Sequence, residues 1–269
     1  LIRAPLSTTA VLDEAADAVR LTAAPWGGLL IITSLPYRFA QAIFADRLLE
    51  LRGDAVHYGN YLGSLASLTM IAFVISRFGR LVFARAVNHA FEAGEGAGAT
   101  PLRVSPALFL NYVYTSAIAE LISIATMITC IAPLLATMLS GLAIGTAELN
   151  DQPSLVAPFR RIGRYGRDLK VVAALVLVFG CAFFVAAVNI LAAFGIGMWL
   201  ASSVGGWDLH RWTILMSFAN HRFVVMMIAG AVLALEPFWI AAHVTLVRKA
   251  GAEESGDDLR AWFEELRNA

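Results

Sequence analysis

The stretch "VVAALVLVFGCAFFVAAVNILAAFGIGMWLAS", residues 171–202, runs for thirty-two positions without a charged side chain. A helix needs about 20 mostly apolar residues to cross about 30 Å of hydrocarbon. A helix on the surface of a soluble domain keeps one polar face, and this stretch has none. Lipid is therefore the solvent it is written for. As one helix it would measure about 48 Å at 1.5 Å per residue. It is expected to tilt, protrude or break, and Gly195 and Gly197 are the expected breakpoint because glycine is a poor helix former.

Directly before it stands "APFRRIGRYGRDLKVV", residues 157–172, where Arg160, Arg161, Arg164, Arg167 and Lys170 crowd together. Leu155, Phe159 and Ile162 recur at i, i+4 and i+7, one helical face. Arg160, Arg164 and Arg167 share the spacing on a neighbouring face. The pattern predicts a helix lying in the membrane interface, apolar side down, its basic residues meeting anionic headgroups at about 1 kcal/mol each. The plainer alternative is that the cluster only sets orientation under the positive-inside rule.

Five further segments have the composition of spans: 26–44, 61–82, 107–128, 131–144 and 223–247. The segment 131–144 is short, so it is either tilted or of half depth, and Pro133 and its neighbours are expected to form a tight turn after the third span. The predicted fold class is all-α, a polytopic transmembrane helical bundle of about six spans. Residues 1–250 form the transmembrane domain and 251–269 a cytoplasmic amphipathic tail with Leu259, Trp262, Phe263 and Leu266 on one face. That tail either docks on the membrane surface or binds a partner.

Composition agrees: 59% of the 269 residues are hydrophobic and 15% charged, against about 45–50% and 25% in soluble domains. The formal net charge is zero, so no global field points to nucleic acid. The basic residues concentrate on one side of the predicted spans, with Arg47, Arg52, Arg211 and Arg222 on the other. Both termini are expected to face the cytoplasm of a bacterial inner membrane. The acidic middle of the opening stretch is unlike the apolar core of a secretory signal, and none is expected. Cys130 and Cys181 lie in apolar runs and are expected to be buried thiols.

Three lead-in stretches precede spans: "PLSTTAVLDEAADAVRL" (5–21), "PLRVSPALFLNYV" (101–113) and "QPSLVAPFRRIGRYG" (152–166). Each has a proline at its first or second position and carries a hydroxyl residue suited to capping a helix. They predict three interfacial amphipathic elbow helices, each feeding a helical hairpin.

Charges inside spans are the functional pointers of a membrane protein. Arg38, Glu120 and Glu236 lie near mid-depth by residue count, and Arg38 is expected to contact Glu236, Glu120 or both. The cluster reads either as a buried ion pair fixing helix register, as a proton or substrate site, or as a contact to another subunit. Arg77 and Arg80, near the inner end of the second span, are expected to snorkel to the interface. Asn189 is expected to bond across a helix interface. Residues 207–223 are expected at the outer interface, with Trp207 and Trp212 at headgroup level.

Stretches 6–20, 156–172, "LEPFWIAAHVTLVRKAG" (235–251) and "DDLRAWFEEL" (257–266) resemble the membrane domain found fused to some glycerophosphodiester phosphodiesterases, and its stand-alone prokaryotic relatives. The soluble phosphodiesterase barrel has no counterpart here, and no catalytic residue carries over.

No catalytic, metal or cofactor motif emerges. His57, His89, His210, His221 and His243 do not cluster, and "GEGAG" (94–98) neither follows a strand nor opens a helix as a dinucleotide fingerprint does. The expected function is a non-enzymatic membrane scaffold or accessory subunit that contacts lipids and either a protein partner or further copies of itself. The alternative is a small-solute or lipid transporter using the midplane charges.

Overall fold

Ser7 opens the first helix: its Oγ accepts the amide of Ala10 at 3.2 Å, satisfying one of the donors a helix start leaves without an intrahelical partner. Ser105 caps another in the same way, accepting from Leu108 N at 3.2 Å, with Pro106 at the first helical position, where its missing N–H costs nothing. Asn220 starts the last helix, its Oδ1 accepting from Arg222 N at 3.2 Å. The computed structural model describes residues 7–50, 55–93, 104–126, 132–147, 156–165, 169–208, 216–217 and 220–255. Among them every regular element is helical: α1 Thr8–Glu50, α2 Ala55–Ala93, α3 Pro106–Thr126, α4 Ala132–Gly145, α5 Ala157–Tyr165, α6 Leu169–Ser203 and α7 His221–Ser255.

Four of these, α1, α2, α6 and α7, contain segments long and apolar enough to cross a membrane: Thr8–Phe44, Tyr61–Phe91, Lys170–Ser203 and His221–Ala252. The chain is a membrane-embedded helical protein. α3 has 21 residues and α4 has 14; they pack against each other and both touch α5.

Several expectations change. Only the third lead-in forms a separate helix, α5. The first is the opening of α1, which continues through Pro25 and Pro36 for 43 residues. Its apolar stripe Val11, Ala15, Ala18, Val19 and Thr22 is buried in protein rather than laid on lipid. In the second lead-in, Val104 and Ser105 lead directly into α3 at Pro106, and residues 101–103 lie outside the described residues. α6 does not break at Gly195 or Gly197 but is helical over 35 residues. Breaking a helix in hydrocarbon strands backbone amides and carbonyls, which costs more than a glycine's weak helix propensity. Cys181 is exposed rather than buried. Cys130, Pro133's turn partners before Ala132, residues 94–98, Trp212 and the tail 256–269 lie outside the described residues.

The chain divides into two compact units. The first comprises Leu1–Leu30, Arg77–Val178 and Pro237–Ala269. At its centre is α7, whose residues 240–247 are all buried, so this part of the helix is enclosed on every side. Lys249 Nζ pairs with Glu14 Oε1 at 2.5 Å, the Arg248 guanidinium lies 4.9 Å over the Phe91 ring, and the Tyr165 ring lies beside Gly251. α4 meets α7 through two glycines. A Cβ on Gly141 would overlap the His243 ring, and one on Gly145 would stand 2.5 Å from the His243 carbonyl oxygen and 2.7 Å from Val247 Cγ2. Small residues allow this close approach of helix backbones, a main source of cohesion in lipid.

The second unit comprises Ile31–Ser76 and Phe179–Glu236. Tyr37 packs edge-on to Phe73 at 5.5 Å, Phe194 edge-on to Phe223 at 6.4 Å, and Ile190 rests on Gly230. Its surface is apolar: Ile32, Phe184, Val188 and Trp199 are all more than half exposed.

The glycine contact gives a first prediction. Gly145→Ala pushes a methyl into backbone that cannot yield and should destabilise the protein by about 1–3 kcal/mol. Gly28→Ala, whose Cβ would meet nothing within 4 Å, should leave stability unchanged or slightly raised. Thermal inactivation in detergent, followed by size-exclusion chromatography, measures both; equal midpoints for the two variants would contradict the close α4–α7 contact.

Candidate functional site

Four polar side chains of the second unit converge. Ser34 and Arg38 lie one turn apart on α1 and so share a face. Ser76 comes from α2, and Glu236 from α7 directly before Pro237. Ser34 Oγ donates to Glu236 Oε1 at 3.2 Å and lies 3.5 Å from Ser76 Oγ. Arg38 Nε stands 3.8 Å from Glu236 Oε2, a charge contact longer than a hydrogen bond. Arg38 Nη1 donates to Gln41 Oε1 at 3.2 Å. The Glu236 side chain is 1% exposed and that of Arg38 17%. The carboxylate thus has a hydroxyl on one oxygen and a guanidinium beside the other, the compensation that a buried charge requires.

Glu120 is not in this group. It belongs to the first unit, where Arg77 Nη2 donates to its Oε1. The Arg77 side chain is 1% exposed, so it does not snorkel. Arg80, at 3% exposure, does not snorkel either. Both are covered by protein, and for Arg77 α3 brings the Glu120 carboxylate within reach. Of the contacts expected of Arg38, to Glu236, Glu120 or both, the structure shows the one to Glu236 and gives Glu120 a different arginine.

A third polar group lies at the end of α1. Asp46 Oδ1 is 2.6 Å from His221 Nε2, and its Oδ2 is 3.3 Å from Arg222 Nε. In the first unit His243 is fully buried. Its Nδ1 donates to the Trp239 carbonyl at 2.9 Å, and its ring lies 4.1 Å from the Trp239 ring. Since a carbonyl only accepts, Nδ1 carries the proton. Nε2 has no hydrogen-bond partner among the described residues and faces the gap left by Gly141. Sequence reading did not single out Ser34, Ser76, Asp46 or the Arg77–Glu120 pair. The one legible signal was the Ser34–Arg38 spacing.

In α5, Arg160 and Arg164 are exposed and Arg161 half-buried; Lys170 at the start of α6 is exposed, and Arg167 lies outside the described residues. The apolar side of α5 is turned onto protein rather than down into lipid. Pro158 and Ile162 are buried, and Phe159 packs edge-on to Tyr114 of α3 at 6.1 Å. An apolar helix face finds denser packing against neighbouring helices than against mobile acyl chains.

Among the described residues no group of three or more His, Cys, Asp or Glu side chains could hold a metal ion. Comparison of the chain with known protein families, curated proteins and solved structures finds no match.

The Arg77–Glu120 pair can be tested as a unit. Arg77→Met removes the guanidinium that donates to the partly buried Glu120 carboxylate and should cost about 3 kcal/mol, the lower end for a broken buried pair. Adding Glu120→Leu removes the other charge of the pair and should recover most of that loss. Detergent-solubilised thermal midpoints of the two singles and the double measure the coupling; additive losses would show that the two side chains act independently.

Proposed function

We propose that this chain is a non-enzymatic integral membrane scaffold or accessory subunit of the bacterial inner membrane. In this reading it crosses six times, with α3 and a short α4 as the third and fourth passes, and both termini are cytoplasmic. Arg160, Arg161, Arg164, Arg167 and Lys170 contact anionic headgroups, and the apolar outer faces meet lipid or a protein partner. The resemblance to the phosphodiesterase-linked membrane domain, a module without catalytic residues of its own here, is part of the same reading.

The observation that carries it is the closure of the buried charges on one another. Arg77 takes Glu120, and Glu236 takes Ser34 and Arg38, while α6 turns apolar side chains outward. A transport site needs polar groups held ready for a solute; paired and packed charges serve instead to fix helix register. The alternative, a small-solute or lipid transporter built on Arg38, Glu120 and Glu236, draws support from one feature. Arg38 and Glu120 keep 17% and 29% of their side chains exposed.

Water access separates the two. In a background with Cys130→Ala and Cys181→Ala, a single Ser34→Cys probes the carboxylate site and Asp208→Cys serves as an exposed control. A scaffold predicts that a membrane-impermeant thiol reagent modifies Asp208→Cys in vesicles of one orientation and leaves Ser34→Cys untouched in vesicles of both orientations. Modification of Ser34→Cys would remove the scaffold reading and favour transport.

A further inference from the structure

One face of α6 packs inward. Ala187 is buried, Ile190 lies against Gly230 of α7, and Phe194 meets Phe223. The opposite face has a different order. Ala182, Val185, Asn189, Ala192, Ile196 and Trp199 succeed one another at alternating intervals of three and four, the heptad spacing of a helix that packs along another helix. Ala182 is half-buried and the other five are exposed.

Asn189 is the anomaly on this face. It sits near the middle of α6, with charge-free sequence on both sides. Its side chain is exposed, and its amide has no hydrogen-bond partner among the described residues. Left facing acyl chains, two N–H donors and a carbonyl would go unsatisfied where no water can replace the missing bonds.

We infer that this face is the contact between two copies of the chain, with Asn189 bonded to Asn189 of the partner subunit. The occupant follows from geometry. Two copies insert in the same orientation, so their α6 helices run parallel and place Asn189 at equal depth. A two-fold axis along the membrane normal then brings each seam residue to its own counterpart. An amide both donates and accepts, so it is complementary to itself. Any other partner would need a polar group at that depth and in that heptad phase; a second copy supplies both by construction. Ala182 and Ala192 let the backbones come close, and a single asparagine in such a seam fixes register and favours one oligomeric state. This inference rests on the scaffold reading and gives it a partner: another copy of the same chain.

Disulfide mapping in native membranes tests it, using the full chain with Cys130→Ala and Cys181→Ala. Single cysteines go at Val185 and Ala192 on the seam, and at Phe184 and Val188 beside it. Oxidation should give covalent dimer strongly at the first two and weakly at the others. In lipid vesicles, energy transfer between labelled copies should show Asn189→Leu weakening the dimer about three- to thirty-fold on dilution, with Asn189→Gln close to wild type. The substitution lies on an exposed face and leaves the bundle interior intact. Uniform or absent cross-linking at the four positions, or a dilution curve for Asn189→Leu that overlays the wild type, would overturn the dimer. If the seam fails while Ser34→Cys stays shielded, the scaffold reading stands with a different partner. If the seam forms and Ser34→Cys is modified, the dimer stands and the scaffold reading falls.

Discussion

A charge in hydrocarbon must find its opposite there, and in this protein that requirement selects which helices stay together. Glu236 is held by a guanidinium and a hydroxyl from α1, and Arg77 of α2 is held by a carboxylate from α3. Removing both members of such a pair is often tolerated; removing one is not, because the survivor keeps its desolvation cost. The pairs therefore contribute less to net stability than to uniqueness. An apolar helix can rotate or slide against its neighbour at small cost in lipid, since lipid tails and leucine side chains are alike. With Arg77 and Glu120 on facing helices, sliding one helix against the other would separate Arg77 Nη2 from Glu120 Oε1, so the pair favours the register seen here.

The two compact units express different balances of the same forces. In the first, α7 is enclosed for two turns, and glycines at 141 and 145 bring α4 against it. Cohesion there comes from dispersion at short range, the term that survives when there is no water to expel. In the second, aromatic edges and the Glu236 cluster link the helices, and large apolar side chains face outward. Only 22% of the apolar window of α6 is buried, a proportion that would drive aggregation in water and is ordinary where the surroundings are hydrocarbon.

Much of this was legible because lipid imposes length. Residues 171–202 announce a helix by the absence of charge and 223–247 by carrying the single carboxylate of Glu236 in an otherwise apolar run, and α6 and α7 contain them. What escaped sequence reading shares one physical cause: hydropathy records what a side chain avoids, not what it touches. Cys181 sits in an apolar run whether it faces a core or an acyl chain, so burial did not follow. Arg77 near a span's end reads as snorkelling until the fold delivers Glu120 from forty-three positions away. The first lead-in has an amphipathic stripe that suits a lipid surface as well as a protein one, and the fold uses it as the latter. Prolines 25 and 36 mark breaks in soluble helices; within α1 they do not end the helix, since neighbouring groups in a membrane protein can take up the freed carbonyls.

The hydroxyl residues sharpen the case of Asn189 by contrast. Thr22, Thr115, Thr146 and Thr245 are all buried, and each donates to the carbonyl four residues back, at 2.7–2.8 Å. A threonine can thus satisfy its one donor within its own helix and enter lipid or core with little penalty. Ser67 and Thr69 on α2 do the same at 2.9 and 2.8 Å. An asparagine is not satisfied so easily: its amide carries two donors and an acceptor, and even with one N–H on a carbonyl of its own helix, the second N–H and the amide oxygen would still need partners. A threonine at 189 would carry no information about a neighbour. An asparagine there, on the face of α6 that α7 does not cover, is a demand for hydrogen bonds that one copy of the chain leaves unmet among its described residues and a parallel second copy meets in kind.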